Sequence, residues 1–158
     1  MELTALIMDN RSKNAKQFSL PVELEYVAYE FGYAVEDVSI TIQSIEELPT
    51  LECERLTLDL ANELAENLED VDEDLVLSFI ESGSSDPKYL VSVEFDECWL
   101  YPEVATDRDL GQYIVDEIGF ELSRETLERY FDYEKFGRDV RLEEGGSFVD
   151  KGYFVSKW

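Results

Sequence analysis

Apolar positions alternate with polar ones in some stretches of this chain and recur every three to four residues in others. The switch between the two periods lays out its elements. Glu2–Asp9, ELTALIMD, is apolar-rich and runs into the polar cluster Asn10-Arg11-Ser12-Lys13-Asn14, which predicts a strand and a loop. Gln17–Leu20 predicts the returning strand, stopped by Pro21. Pro21–Phe31 carries Val22, Tyr26 and Tyr29 at helical spacing, with Pro21 suited to a first turn and Gly32 to a C-terminal stop. Asp37–Gln43 sets Val38, Ile40 and Ile42 alternately against polar residues, the period of a half-buried strand.

Helical periods dominate after Pro49. Leu51–Glu69 places Leu56, Leu60, Leu64 and Leu68 at fourfold spacing and predicts an amphipathic helix with an acidic outer face. Asp72–Ile80 predicts a second, short helix on Leu75, Val76, Phe79 and Ile80. Asp86-Pro87 matches an N-cap and first-turn proline and opens a third helix running to about Val93. Cys98–Tyr101, CWLY, predicts a strand broken by Pro102. Thr106 or Asp107 caps a helix through Ile118, with Leu110, Tyr113, Ile114 and Ile118 as its apolar stripe and Gly119 as its stop; Ser123–Phe131 predicts another. Val140-Arg141-Leu142, Ser147-Phe148-Val149 and Tyr153-Phe154-Val155, separated by glycines, predict a closing antiparallel meander. The fold class is α+β. Three small units are expected: an N-terminal α+β unit over 1–49, a central acidic helical bundle over 50–96 and a C-terminal α+β unit over 97–158.

Charge changes the picture. Among 158 residues, Lys and Arg number 13 and Asp and Glu 38, a formal net charge of -25. Repulsion at that density opposes a compact state. Yet 44% of residues are hydrophobic, enough to build cores beneath an acidic exterior and to set this chain apart from a disordered acidic tail. A positively charged partner surface is expected, and direct contact with nucleic acid or an anionic membrane is disfavoured. Arg11, Lys13 and Lys16 lie outside the acidic stretch, as in a polarised molecule.

The acid concentrates between Glu46 and Glu81. Glu46, Glu47, Glu52, Glu54, Asp59, Glu63, Glu66, Glu69, Asp70, Asp72, Glu73, Asp74 and Glu81 stand there with Arg55 as the only base. Drawn as one helix at about 1.5 Å per residue, the stretch carries roughly one carboxylate per 4 Å. One strand of duplex DNA carries roughly one phosphate per 3.4 Å of axis. The match points to a protein surface that imitates nucleic-acid charge; a solvated outer helix face is the plainer alternative.

Other chemistry is missing. Histidine is absent, which removes the usual general base near neutral pH, the Ser–His and Cys–His pairs and the commonest zinc ligand. Neither a Walker loop nor GxGxxG occurs. No enzymatic activity and no cofactor are expected. Asp70, Asp72, Asp74 and Glu81 fall at EF-hand positions, but Leu75 occupies the place that needs glycine, so calcium is not expected either. Cys53 and Cys98 make neither a disulfide framework nor a metal-ligand spacing and read as buried thiols in a reducing cytoplasm. No apolar run is long enough to span a membrane and no signal-peptide core is present, so a soluble intracellular protein is expected. Tyr130, Phe131, Tyr133 and Phe136 read as core or interface aromatics, since their surroundings are too acidic for a base-stacking platform.

Tyr130–Val140, YFDYEKFGRDV, with the following Ser147-Phe148 and Gly152-Tyr153-Phe154, resembles the C-terminal signature of the ArdA antirestriction proteins. Asp109–Phe120, DLGQYIVDEIGF, falls where that family has its antirestriction motif, and the helices after Leu20-Pro21 and Leu48-Pro49 follow the family's order. The N-terminal hairpin is shorter than the family's and lacks its usual tryptophan. The resemblance implies an elongated, three-part, crescent-like homodimer carried by phages and other mobile elements in the bacterial cytoplasm. It implies a mimic of bent B-form DNA that occupies the DNA groove of type I restriction–modification enzymes. It also places the helix Asp109–Ile118 near the dimer contact, with Tyr113, Ile114 and Ile118 as candidate contributors; filling the third unit's own core is their alternative role. Two further readings of the acidic composition are an inhibitor of another bacterial defence nuclease and an acidic interaction module or chaperone for a basic protein.

Overall fold

Alternation along Leu3–Asp9 forms β1, which turns Leu3, Ala5, Ile7 and Asp9 inward. In this computed structural model, which describes residues 1–118 and 123–158 with the backbone alone at Ile118, the chain divides into two compact units, Met1–Val93 and Glu94–Trp158. In the first, β1 pairs antiparallel with β2 (Ala15–Leu20) and with β3 (Ile40–Ile45), in the order β2-β1-β3. Between β2 and β3 runs α1 (Leu24–Phe31), which buries Val27 and Ala28. Gly32 ends it at φ 81°, a left-handed conformation natural to glycine, and its N–H donates to the carbonyls of Ala28 and Tyr29.

In this unit α1, β3 and α2 (Leu58–Leu68) each begin three or more residues later than the sequence expectation, for a specific reason. Helix α1 begins at Leu24 rather than Pro21, because the Asn62 amide takes up both backbone groups of Val22, at 2.9 Å each. Strand β3 begins at Ile40 because Val35–Asp37 closes into a 3₁₀ turn. A bulge then shifts its register between Ile7↔Ile42 and Leu6↔Ser44, so the buried positions are Ile42 and Ile45 rather than strictly alternate residues. The third is α2, which spans Leu58–Leu68 rather than starting at Leu51. The Glu52 N–H is committed to the Ser85 carbonyl and the Leu56 N–H to Cys53, while the Thr57 side chain caps the helix through the Leu60 N–H. Leu51 and Leu56 are buried from the loop instead.

Helix α2 buries Ala61, Leu64, Ala65 and Leu68. Helix α3 (Glu73–Ser82), capped by Asp72, buries Val76, Phe79 and Ile80. It also buries Ser78, whose hydroxyl donates to the Asp74 carbonyl at 2.6 Å. Helix α4 (Pro87–Leu90) has the expected Asp86 cap but makes a single turn; Ser92 and Val93 donate three residues back, to Tyr89 and Leu90, and the chain leaves the helix.

The second unit holds β4 (Cys98–Tyr101), α5 (Asp107–Ile118), α6 (Arg124–Tyr130), α7 (Tyr133–Glu144), β5 (Ser147–Val149) and β6 (Gly152–Ser156). Its antiparallel sheet has the order β4-β6-β5. Val140–Leu142, expected as a strand, belongs to α7, which Asp132 caps through the Lys135 N–H and Gly145 stops at φ 69°. The strand that completes this sheet is β4, from before the helices. Helices α5 and α7 approach backbone to backbone at Gly111 and Gly137. A Cβ on Gly111 would collide with the Tyr133 carbonyl, and one on Gly137 with that of Asp107.

Candidate functional site

All thirteen carboxylates between Glu46 and Glu81 lie in the first unit, and twelve of them are exposed; Glu47 is half-buried. They do not share one helix. Glu46, Glu47, Glu52 and Glu54 stand before α2, Glu69, Asp70 and Asp72 between α2 and α3, and only Asp59, Glu63, Glu66, Glu73, Asp74 and Glu81 on the helices themselves. On α2, Asp59, Glu63 and Glu66 recur at the helical period, so they fall within about 60° of one another and roughly 5 Å apart along the axis. That stripe lies opposite the side that buries Leu64, Ala65 and Leu68.

Several of these groups have local roles. Glu47 accepts the Thr4 N–H at 2.7 Å, Glu46 accepts from the Gln17 amide at 3.3 Å and Glu52 from the Ser85 hydroxyl at 2.9 Å. Asp72 caps α3. Neither α2 nor α3 has a basic residue in its last turn, so Glu66 and Glu81 face helix ends that favour cations. Among the described residues no group of three or more Cys, Asp and Glu side chains is gathered as a metal site, and no helix is long and apolar enough to cross a membrane.

The hairpin between β1 and β2 is built on Asp9, which is 1% exposed. Its carboxylate accepts the Arg11 and Ser12 N–H groups at 3.2 and 3.1 Å, the Ser12 hydroxyl at 2.6 Å and the Tyr33 hydroxyl at 2.9 Å. These bonds, the Ser12 hydroxyl foremost, lower its pKa from 3.8 to about 2 against the opposing effect of burial. The Tyr33 hydroxyl is pushed up in turn, chiefly by its bond to Asp9. Lys13 sits at φ 63°, and the Arg11 guanidinium lies 5.4 Å from the centre of the Tyr33 ring.

In the second unit, Tyr113 and Ile114 are half-buried and pack on Val104, Leu110, Tyr153 and Val155; the Tyr101 and Tyr113 rings are 5.0 Å apart. Both candidate contact residues thus contribute to their own unit's core, and the side chain of Ile118 lies outside the described residues. Tyr133 is buried with Val115 and Leu127, and Phe131 and Phe136 pack against them, whereas Tyr130 is 79% exposed. Arg141 binds Asp107 at 2.8 Å, joining α7 to the start of α5, and lies over Phe148. The buried Tyr153 hydroxyl donates to Glu144 at 3.0 Å; burial first, and that bond second, raise its pKa. Cys98 is buried and Cys53 half-buried, and burial raises both thiols above the ordinary range.

Periodicity and charge pointed to none of Asp9, Asn62, Arg141 or the glycine pair as an organising residue. The glycines alone left a trace, because glycine inside a helical pattern is unfavourable without a packing reason. A family model described as "Antirestriction protein (ArdA)" matches residues 14–155. No curated protein matches the chain.

Proposed function

Because this chain belongs to the ArdA family of antirestriction proteins, we propose that it shields incoming DNA by occupying the DNA groove of a type I restriction–modification enzyme. The carboxylates of residues 46–81 stand in for duplex phosphates and meet the Arg and Lys side chains that otherwise grip DNA. The mechanism is competitive occlusion, with ions condensed on both surfaces released on contact. The observation that carries the reading is the exposure of twelve carboxylates on helices and loops anchored by a buried apolar core. Acid in the last turns of α2 and α3, Glu66 and Glu81, opposes the helix dipole, which fits a surface shaped by what it binds. The protein acts as a homodimer in this reading, and no catalytic step or cofactor is involved.

The test is displacement of a labelled duplex oligonucleotide from a purified type I methyltransferase core. Full competition that weakens as salt is raised supports the proposal. Failure to displace duplex at low salt, at protein concentrations far above those of the enzyme, overturns it. Retention of isolated basic chains without such competition favours a chaperone for a basic protein instead.

A further inference from the structure

The most acidic unit of this protein carries a fixed cluster of positive charge. Arg11, Lys13 and Lys16 fall within six residues of the β1–β2 hairpin, and all three are exposed. Among the described residues none has a carboxylate within ion-pair distance, in a chain with 38 acidic residues. Asp9, the nearest acid in sequence, is turned inward, with its carboxylate engaged by four donors from Arg11, Ser12 and Tyr33. The same bonds tie the loop back onto β1 and Tyr33. Arg11 rests over Tyr33 and Lys16 over Phe31, with the Lys16 ammonium donating to the Glu30 carbonyl at 2.6 Å, so both cations gather at the C-terminal end of α1. Lys13 occupies the left-handed region that asparagine or glycine adopts more readily, and its ammonium has no partner among the described residues.

We infer that this hairpin is an interaction surface for a carboxylate-bearing strip on the target enzyme, flanking the enzyme's cationic DNA channel. The inference rests on the groove-occluding reading above. A positive tip laid on a positive groove floor is repelled, so it belongs where the enzyme surface is acidic. Duplex DNA, anionic along its whole length, can make no such contact. The hairpin thereby gives the inhibitor a favourable interaction that its competitor lacks, and it fixes which way round the protein lies on the enzyme.

The duplex-displacement assay tests this with Arg11→Glu/Lys13→Glu and Arg11→Gln/Lys13→Gln; Lys16 is retained because it caps α1. Both variants are more negative than the natural chain, so a surface acting by anionic charge alone would inhibit better. The inference expects the opposite: inhibition about tenfold weaker for the glutamate pair and about threefold weaker for the glutamine pair, at unchanged far-ultraviolet circular dichroism. If the glutamate pair does not fold, the glutamine pair decides. Unchanged or stronger inhibition overturns the inference while leaving groove occlusion intact, whereas failure of the natural chain to displace duplex overturns occlusion itself. If the natural chain retains free duplex and the glutamine pair does not, the hairpin's partner is phosphate and the inference falls.

Discussion

Asp9 shows how one side chain can set the shape of a hairpin. Its pKa in the folded chain, about 2, lies below the ordinary 3.8, so folding favours its ionised form. The stability it contributes is complete above about pH 4 and is lost as the pH falls through 2. Asp9→Asn is therefore expected to lower the thermal midpoint at pH 7, with a deficit that narrows between pH 4 and pH 2; a deficit constant across that range would contradict the assignment. Asn62 is the second such residue. Replacing it with Ala strands the N–H and carbonyl of Val22 together. A loss of roughly 1–3 kcal/mol in urea unfolding is expected, with little change in the dependence on denaturant.

Helices α5 and α7 illustrate what an element requires beyond its own propensity. Alanine is a better helix former than glycine by about 1 kcal/mol, so propensity alone predicts that Gly111→Ala and Gly137→Ala stabilise the protein. The crossing predicts the reverse, because each new Cβ meets carbonyl backbone of the facing helix rather than a movable side chain. Each substitution is expected to cost about 3 kcal/mol or more in equilibrium unfolding, and a gain in stability from either would show that the helices can separate freely. The two glycines belong to different motifs, DLGQY and EKFGRDV, and Arg141 and Asp107 tie the same two helices together. These parts of the family signature thus have a packing role in this chain.

At the scale of the molecule the governing quantity is charge. With a formal charge of -25, self-repulsion opposes folding, and screening relieves it. Raising sodium chloride from low concentration to about 0.5 M is expected to raise the thermal midpoint while weakening inhibition of the enzyme. A fall in both would place the stabilising charges in attractive pairs instead. On the proposed reading, the carboxylates of the acidic surface share the work. A single reversal such as Glu63→Lys is expected to alter inhibition by less than about fivefold. Neutralising Asp59, Glu63, Glu66, Glu69 and Asp70 together is expected to weaken it by about tenfold or more. One acidic substitution that abolished inhibition in a folded protein would contradict distributed mimicry.

The sequence by itself determined most element types, the helix cap at Asp86, the stop at Gly32 and the family. Caps and periods are local physics, complete within a few neighbouring residues, and net charge needs no coordinates at all. Tertiary structure decided where α1 and α2 begin, because Asn62 and Ser85 claim backbone groups that local reading leaves to the helix. It turned Val140–Leu142 from strand into helix, since α7 crosses α5 at Gly137 and Gly111 and Arg141 reaches Asp107. It also drew Leu51–Thr57 out of α2 into a loop and turned Asp9 inward beneath a positive hairpin. Those outcomes depend on partners far away in the chain, and a pattern read along the sequence carries no record of which distant group will arrive.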